Sequence, residues 1–265
     1  MNNITSTLII STYNWPAALD ICLYSVQNQA VLPGEIIIAD DGSGDETKSV
    51  IEKHQDLFKI PIKHIWHEDK GFRKSVILNK ALIKSTNQYI IQIDGDVILD
   101  KNFVSDHLAN AEHNTFIRGT RAMLSEHKTK KVIIERNITL SPFESGVGNW
   151  NNALRIPVLQ WLGTRKEKSS RSVRGSNLSY WKDDFIRVNG YNNDLIGWGH
   201  EDEELAARFI NNGNVKKIIK LSAVQYHLYH QGSSKNNEID HALEVNRVIN
   251  EGIKICKNGY SSTDD

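Results

Sequence analysis

An α/β fold with a largely parallel sheet is what this 265-residue sequence predicts, and three observations carry the prediction. Short apolar runs alternate with segments of helical period, the pattern of strand–helix–strand units. One of them, "YIIQI", is nearly all apolar, as expected of a strand covered on both faces. Three of the runs stop at hydroxyl, amide or carboxylate side chains. Those strand ends are where ligands collect in parallel sheets.

Taken in order, "TLIIST" (Thr7–Thr12) is the first strand, with Asn14 as cap and Pro16 just inside the next helix. Leu19, Cys22, Leu23 and Val26 follow the i, i+3, i+4, i+7 spacing of one apolar stripe. "EIIIAD" (Glu35–Asp40) is the second strand, and Ser43 with Glu46 has capping-box spacing for a helix to about Gln55. "IKHIWH" (Ile62–His67) is the third strand, "RKSVILNKALIKS" (Arg73–Ser85) a helix with Ile77, Ala81 and Leu82 inward, and "YIIQI" the fourth strand. Beyond Ala122 the pattern fades: Ser125–Arg174 is expected to be irregular, with a mobile loop at Gly163–Arg174. A Gly-rich turn then feeds a short helix that Gly213 stops, "AVQYHLYH" (Ala223–His230) is a late strand, and Asn236–Asp265 forms an amphipathic helix and a frayed tail.

The bulk numbers narrow the function. Thirty-two basic and thirty-two acidic residues cancel, which argues against an electrostatic grip on nucleic acid. The longest apolar runs are too short to span a bilayer, and the N-terminal "MNNITSTLIIS" lacks the features of a secretory signal. Of the two cysteines, Cys22 falls on a helix's apolar face, so a disulfide framework is not expected. A soluble, cytoplasmic protein is the expectation.

Three strands end in residues that one crevice would collect: Ser11-Thr12-Tyr13-Asn14, Asp40-Asp41 and Asp94-Gly95-Asp96. Turn chemistry alone accounts for Asp-Asp-Gly-Ser, and solvated loop carboxylates for Asp94 and Asp96. The alternative is a divalent cation, since two hard oxygens at a strand end suit Mg²⁺ or Mn²⁺, and such an ion usually meets substrate phosphates as well. In "GWGHEDEEL", acids in a first helical turn complement the helix dipole; Gly197-Trp198-Gly199 before them needs another reason. In "QYHLYH" an unbroken strand turns His227 and His230 to opposite faces, so only one of them is then a ligand.

Together these segments resemble the family 2 glycosyltransferases. The resemblance covers "LIISTYNWPAALDICLYSVQNQAVLPGEIIIADDGSGDET", "HEDKGFRKSVILNKALIKSTNQYIIQIDGDVILDKNFVSDH" and "RGSNLSYWKDDFIRVNGYNNDLIGWGHEDEELAARFINNG", in the family's order. The "DKGFRKSVILNKA" and "GWGHEDEEL" blocks look most like bacterial chondroitin-polymerase-type, capsule and lipopolysaccharide transferases, and the latter is similar to the galactosyltransferase-type "WGxED" segment.

The resemblance implies a GT-A fold: one Rossmann-like central sheet, mixed but mostly parallel, with helices on both sides. It implies a transferase domain over 1–235, its nucleotide-sugar half 1–121 and acceptor half 122–235, followed by a helix and tail over 236–265. It implies an inverting, metal-dependent enzyme moving sugar from a UDP-sugar to a glycan or lipid-linked saccharide in bacterial surface polysaccharide synthesis. A lipid-linked acceptor would add peripheral association with the inner face of the membrane. By position, Ser11 and Tyr13 line the nucleoside pocket, Asp41 accepts from the uracil ring, and Arg73 lies beside the nucleotide with Asn79 further along its helix. Asp94 and Asp96 match the family's D-x-D. Asp96 and His227, with His230 the alternative, hold Mn²⁺ (or Mg²⁺). Asp202 is the catalytic base, Glu201 binds sugar hydroxyls, and Trp198 lines the acceptor site. Arg171 or Arg174 closes over the phosphates. The family pattern often has Gly where this chain has His200. A retaining transferase of the same fold and an inactive carbohydrate-binding subunit are the alternatives; a sugar-phosphate nucleotidyltransferase would need a Gly-rich basic loop that "STYNWPAALD" lacks.

Overall fold

The computed structural model describes residues 4–232 and 237–264, so the boundary expected at 235/236 lies outside the described residues. The first half alternates as the apolar runs require. It comprises β1 (Ser6–Thr12), α1 (Pro16–Gln27), β2 (Glu35–Asp40), α2 (Asp45–Leu57), β3 (Ile62–Trp66), α3 (Lys74–Lys84) and β4 (Tyr89–Asp94). Then come β5 (Val97–Leu99), α4 (Phe103–Asn110), β6 (Thr115–Arg118), β7 (Ala122–Leu124), α5 (Glu126–Glu135) and β8 (Val147–Gly148). The rest contributes α6 (Gln160–Gly163), β9 (Arg165–Glu167), β10 (Leu178–Trp181), α7 (Lys182–Arg187), α8 (Glu201–Asn211), β11 (Val215–Ile218), β12 (Gln225–His227) and α9 (Glu238–Asn250).

Among the described residues, eight strands form one sheet in the order β3-β2-β1-β4-β10-β6-β11-β9. Four of its pairings are parallel and three antiparallel. Strand periodicity sorts its side chains onto two cores. Leu8, Ile10, Ile91 and Ile93 face α1, α2 and α4, whereas Ile9, Ile37 and Ile90 face α3, α7 and α8. That two-sided burial is why these strands lack polar alternation.

The single sheet expected from the sequence is joined by a second, ordered β5-β12-β7-β8. Its strands are two or three residues long, too short to register as periodicity. A third apolar cluster, with Ala18 and Ile21 of α1, Ile98, Leu124, Val132 of α5 and Tyr226, holds this sheet against α1.

Several local expectations are corrected. Asn14 does not cap α1, whose cap position is Trp15, nor do Ser43 and Glu46 box α2. Instead the Asn14 N–H donates to Ser43 Oγ at 2.9 Å, and Asn14 Oδ1 accepts the Gly44 N–H at 3.0 Å, stitching the ends of β1 and β2 together. Residues 125–174 are not wholly irregular: Ser125 caps α5 by accepting the Lys128 N–H, and part of the expected mobile loop is the edge strand β9. The tail is not frayed, since Tyr260 N–H donates to Asn189 O at 2.8 Å and Asn193 N–H to Asn258 O at 2.9 Å. The late strand stops at His227, because its partner β5 begins at Val97. The next amide, Leu228 N–H, bonds Asp96 O at 2.9 Å and turns the chain across the Asp-Gly-Asp loop.

Candidate active site

The carboxyl ends of β1, β2 and β4 converge as the sequence suggests. Ser11 and Asp94 are direct neighbours across the β1–β4 ladder, and Ser11 Oγ donates to Asp94 Oδ1 at 2.8 Å. The other partner of that oxygen is a residue the sequence reading passed over. Lys74, the first residue of α3, places Nζ 2.7 Å from Asp94 Oδ1 and 3.9 Å from Glu201 Oε1. Burial alone would raise the Asp94 pKa, but Lys74 and Ser11 outweigh it and hold the carboxyl at about 2. The Lys74 ammonium is raised well above its usual range, against its own burial, by Asp94, Asp202 and Glu201. A lysine one place beyond the arginine that drew notice in "GFRKS" is therefore the common counter-charge of the site.

Asp96 sits differently. Its Oδ2 is 3.5 Å from His227 Nε2 and 3.2 Å from His230 Nε2, while its Oδ1 is buried with no hydrogen-bond partner among the described residues. Each imidazole donates its Nδ1–H to a backbone carbonyl, His227 to Leu228 O and His230 to Gln231 O, both at 2.7 Å. A neutral ring so oriented aims an Nε2 lone pair at a carboxylate, which is repulsive unless a proton or a cation lies between them. Asp96 pushes His230 up to about 9, whereas burial pulls His227 down. Ligand atoms of all three residues lie within 4.8 Å of one another. Two borderline imidazoles beside one carboxylate tilt the preference from Mg²⁺ toward Mn²⁺. Because the strand ends at His227, both histidines meet Asp96.

The second carboxylate pair is carried by α8. Gly197 and Gly199 adopt φ of +99° and +114°, and His200, where the family pattern often has Gly, keeps a left-handed φ of +67°. That strained entry turns the helix N-terminus into the crevice. Asp202 Oδ1 accepts the Tyr191 hydroxyl at 2.8 Å and Oδ2 accepts the Gly175 N–H at 2.6 Å. A Cβ on Gly175 would come within 2.7 Å of Asp202 Oδ1, so only glycine lets the backbone so close. Tyr191 is held in turn: Gln92 Nε2 donates to its hydroxyl, and Asn79 bonds its backbone N–H and C=O. Asn79 is thus tied to the Tyr191 backbone. Burial raises the Asp202 pKa and, with the Asp202 charge, lifts Glu201 to about 7. Glu201 is buried, accepts the Gly199 N–H at 3.1 Å and faces Lys74.

The remaining residues are less tightly gathered. Tyr13 is exposed at the rim, its hydroxyl donating to Asp69 at 2.8 Å. Asp41 is buried, with Oδ1 2.6 Å from His67 Nε2 and Oδ2 accepting the Arg73 N–H at 2.9 Å. The Arg73 guanidinium donates to Glu68 O, leaving Nε buried and unpartnered. Trp198 is part-exposed beside the α8 entry, and Arg171 is turned away to Asn246 of α9. Arg121, which the sequence reading missed, is half-buried near Asp94, Asp96 and Asp202.

Comparison with known proteins agrees with this geometry. Residues 7–163, more than half of the chain, match the family model for glycosyl transferase family 2, and residues 163–231 match one described as the N-terminal domain of galactosyltransferase. A validoxylamine A glucosyltransferase of Streptomyces hygroscopicus subsp. limoneus is 25% identical over 219 residues, covering 78% of this chain and 48% of the relative. A chondroitin synthase of Pasteurella multocida (strain Pm70) is 23% identical over 254 residues, covering 90% of this chain and 26% of the relative. The chain therefore spans half or less of the length of these relatives. The crystal structure of GalNAc-T7 with UDP, GalNAc and Mn²⁺ superposes with a TM-score of 0.67 at 15% identity, over 93% of this chain and 48% of that one. That likeness shows the GT-A fold.

Proposed function

The chain belongs to glycosyltransferase family 2, and we propose that it moves a sugar from a UDP-sugar to a hydroxyl of a glycan or lipid-linked saccharide, with inversion at the anomeric carbon. The observation that carries this reading is the meeting of two differently built carboxylate groups in one crevice. Asp96 with His227 and His230 is arranged to hold a cation; Asp202 is buried, which raises its pKa, while two donated hydrogen bonds fix its carboxylate.

The acceptor hydroxyl attacks the anomeric carbon as its O–H proton passes to Asp202. The bond from that carbon to the UDP oxygen breaks on the opposite face, and UDP departs with the bonding pair. Tyr191 and Gly175 each occupy one lone pair of Asp202, fixing the carboxylate plane and leaving the other lone pairs for the acceptor. Lys74 keeps Asp94 ionised and in place without itself touching the transferred proton. Asp96, His227 and His230 would hold a divalent cation, which would supply positive charge to the departing diphosphate. A neighbour of the same fold that holds UDP and Mn²⁺ supports this donor and metal. Ser11, Tyr13, Asp41 and Arg73 are the proposed nucleoside side of the crevice, and Trp198 with Glu201 the sugar side.

Polysaccharide assembly is the proposed setting, supported by the chondroitin synthase relative. No helix among the described residues is long and apolar enough to cross a membrane. Peripheral contact with an anionic bilayer is supported by α6 and the residues just before it. There Val158, Trp161 and Leu162 are 81%, 72% and 61% exposed beside Arg165, Lys166 and Lys168. Flotation with anionic vesicles that Trp161→Ser abolishes would support that contact, and equal flotation of both proteins would refute it.

The test of the activity is calorimetric titration of UDP into metal-stripped protein with and without Mn²⁺, followed by a panel of UDP-sugars scored for UDP release and product anomer. Mn²⁺-dependent binding with one preferred sugar and an inverted product supports the reading. Retention of configuration would assign the retaining alternative, and absence of UDP binding in both conditions would remove the donor.

A further inference from the structure

On the acceptor side of Asp202 the chain gathers arginines with too few carboxylates to neutralise them. Arg118 ends β6 opposite Ile218 of β11, and Ile218 lies opposite Arg165 of β9. The two arginines therefore stand in one row, two strands apart, on one face of the sheet. Arg174 is brought to the same place by the turn after it. Its carbonyl accepts the Asn177 N–H, and Asn177 O accepts the N–H of Gly119, next to Arg118. Arg118 Nε donates to Ser172 O at 3.0 Å, the one hydrogen bond of its side chain among the described residues. Arg174 is exposed, and its side chain has no hydrogen bond or ion pair among them.

The nearby acids are already engaged. Glu167 serves both Arg165, at 3.4 Å, and Lys216, at 2.8 Å. Glu203 accepts the Ser172 N–H at 2.5 Å and pairs with His200 at 3.0 Å. Arg121, whose Nη1 donates to Ser176 Oγ at 3.4 Å, lies within electrostatic range of Asp94, Asp96 and Asp202. Burial lowers the Arg118 and Arg121 pKa values, and the mutual repulsion of the arginines, Arg174 above all, adds to it. Guanidinium groups crowded in this way complement an anion, which they bind in pairs of parallel hydrogen bonds.

We propose that Arg118, Arg165 and Arg174 form an acceptor subsite for a negatively charged group, a phosphate or a carboxylate borne by the acceptor saccharide. The placement selects the acceptor over the donor: Arg174 immediately precedes Gly175, whose N–H holds the proposed base, and the base faces the attacking hydroxyl. The inference rests on the proposed transferase reading and adds to it the charge of the acceptor.

The test titrates sn-glycerol 3-phosphate, methyl glucuronide and neutral methyl glucoside into protein saturated with UDP and Mn²⁺, and repeats each titration on nucleotide-free protein. One anionic probe should bind at least about tenfold more tightly than the neutral one, and which anion binds names the source of the charge. Arg165→Gln and Arg174→Gln, both at exposed positions, should each weaken that anion about tenfold while UDP affinity stays within about twofold. Arg118→Lys, which keeps charge but loses the fork, should weaken it less than Arg174→Gln. Anionic and neutral probes binding alike, or no anion binding below roughly 20 mM, overturns the subsite. So does Arg174→Gln weakening UDP as much as the anion, which would return Arg174 to the donor phosphates. Anion binding to nucleotide-free protein that never binds UDP would leave the subsite standing and remove the UDP donor instead.

Discussion

Replacing Lys74 by Met tests the electrostatic frame of the site most directly. The Nζ lies 2.7 Å from Asp94, and the two side chains are only 15% and 24% exposed. Folding moves the Asp94 carboxyl from 3.8 to about 2, which at about 1.4 kcal/mol per unit is worth about 2 kcal/mol. Because that pKa is depressed, the stabilisation is present above pH 3.8 and lost as pH falls through about 2. Lys74→Met removes it and also leaves Asp94, Glu201 and Asp202 without the ammonium that faces them, Arg121 being the cation still near, and breaking a buried pair costs about 3–5 kcal/mol. Urea unfolding at pH 7 should show a loss of that size with an unchanged m-value. Adding Asp94→Asn should return about 2 kcal/mol, so that the double variant is more stable than the sum of the singles allows. The deficit of the single variant should also shrink at pH 5, where the stranded carboxylates take up protons. A single-variant cost below about 1 kcal/mol, or strict additivity in the double variant, would refute the assignment of Lys74 as the common counter-charge.

Asp202→Asn should abolish sugar transfer while calorimetry still shows UDP and Mn²⁺ binding; loss of UDP binding would make Asp202 structural. Tyr191→Phe removes one hydrogen bond that orients the base and should lower kcat about 10²-fold with KM little changed, whereas a purely structural role would move thermal stability and leave the ratio of kcat to KM effects uninformative. Asp96→Ala should eliminate the Mn²⁺ dependence of UDP binding, with His230→Ala and His227→Ala each weakening Mn²⁺ affinity; an unaffected His230→Ala would reduce the site to two protein ligands. Glu201 should give the fold a visible pH dependence. Because folding raises its pKa from 4.5 to about 7, the protonated form favours the folded chain. That contribution, up to about 3 kcal/mol shared with Asp202, is complete below pH 4.5 and lost as pH rises through about 7. Glu201→Gln should flatten stability across that window, and an unchanged slope would place the titration elsewhere.

How much of this was legible in the sequence depended on the length of the element concerned. The first four strands of the sheet were read with their order, and the polar ends of three of them led directly to Ser11, Asp41, Asp94 and Asp96. The second sheet was invisible because strands such as β5 and β12 have three residues and no period to detect. That loss mattered, since the end of β12 decides whether one histidine or two reach Asp96. Asn14 and Ser43 illustrate another limit: both have capping chemistry, but a tertiary partner outcompeted the local helix ends. Lys74 and Arg121 were passed over because a cation on a helix start or a strand-linking loop looks solvated until the carboxylates around it are placed.

The proposed base also resolves a tension that sequence alone leaves open. A carboxylate in the first turn of a helix is stabilised as the anion by the helix dipole, which would make Asp202 a poor proton acceptor. Dipole stabilisation amounts to about 0.3–1 kcal/mol at an exposed terminus. Withdrawing a carboxylate from water opposes it with a larger penalty, and α8 is drawn inward by the fully buried Glu204–Arg208 pair, whose guanidinium also donates to Val188 O at 2.6 Å. Burial therefore wins, and the Asp202 and Glu201 pKa values move up, toward the range where a base is useful at neutral pH. Lys74 limits the rise: without it, three carboxylates would share one dry crevice and at least one would hold a proton when the acceptor arrives. The sequence places acids at a helix start; the depth to which Glu204–Arg208 sinks that start, and the cation that faces it, make one of them a plausible base.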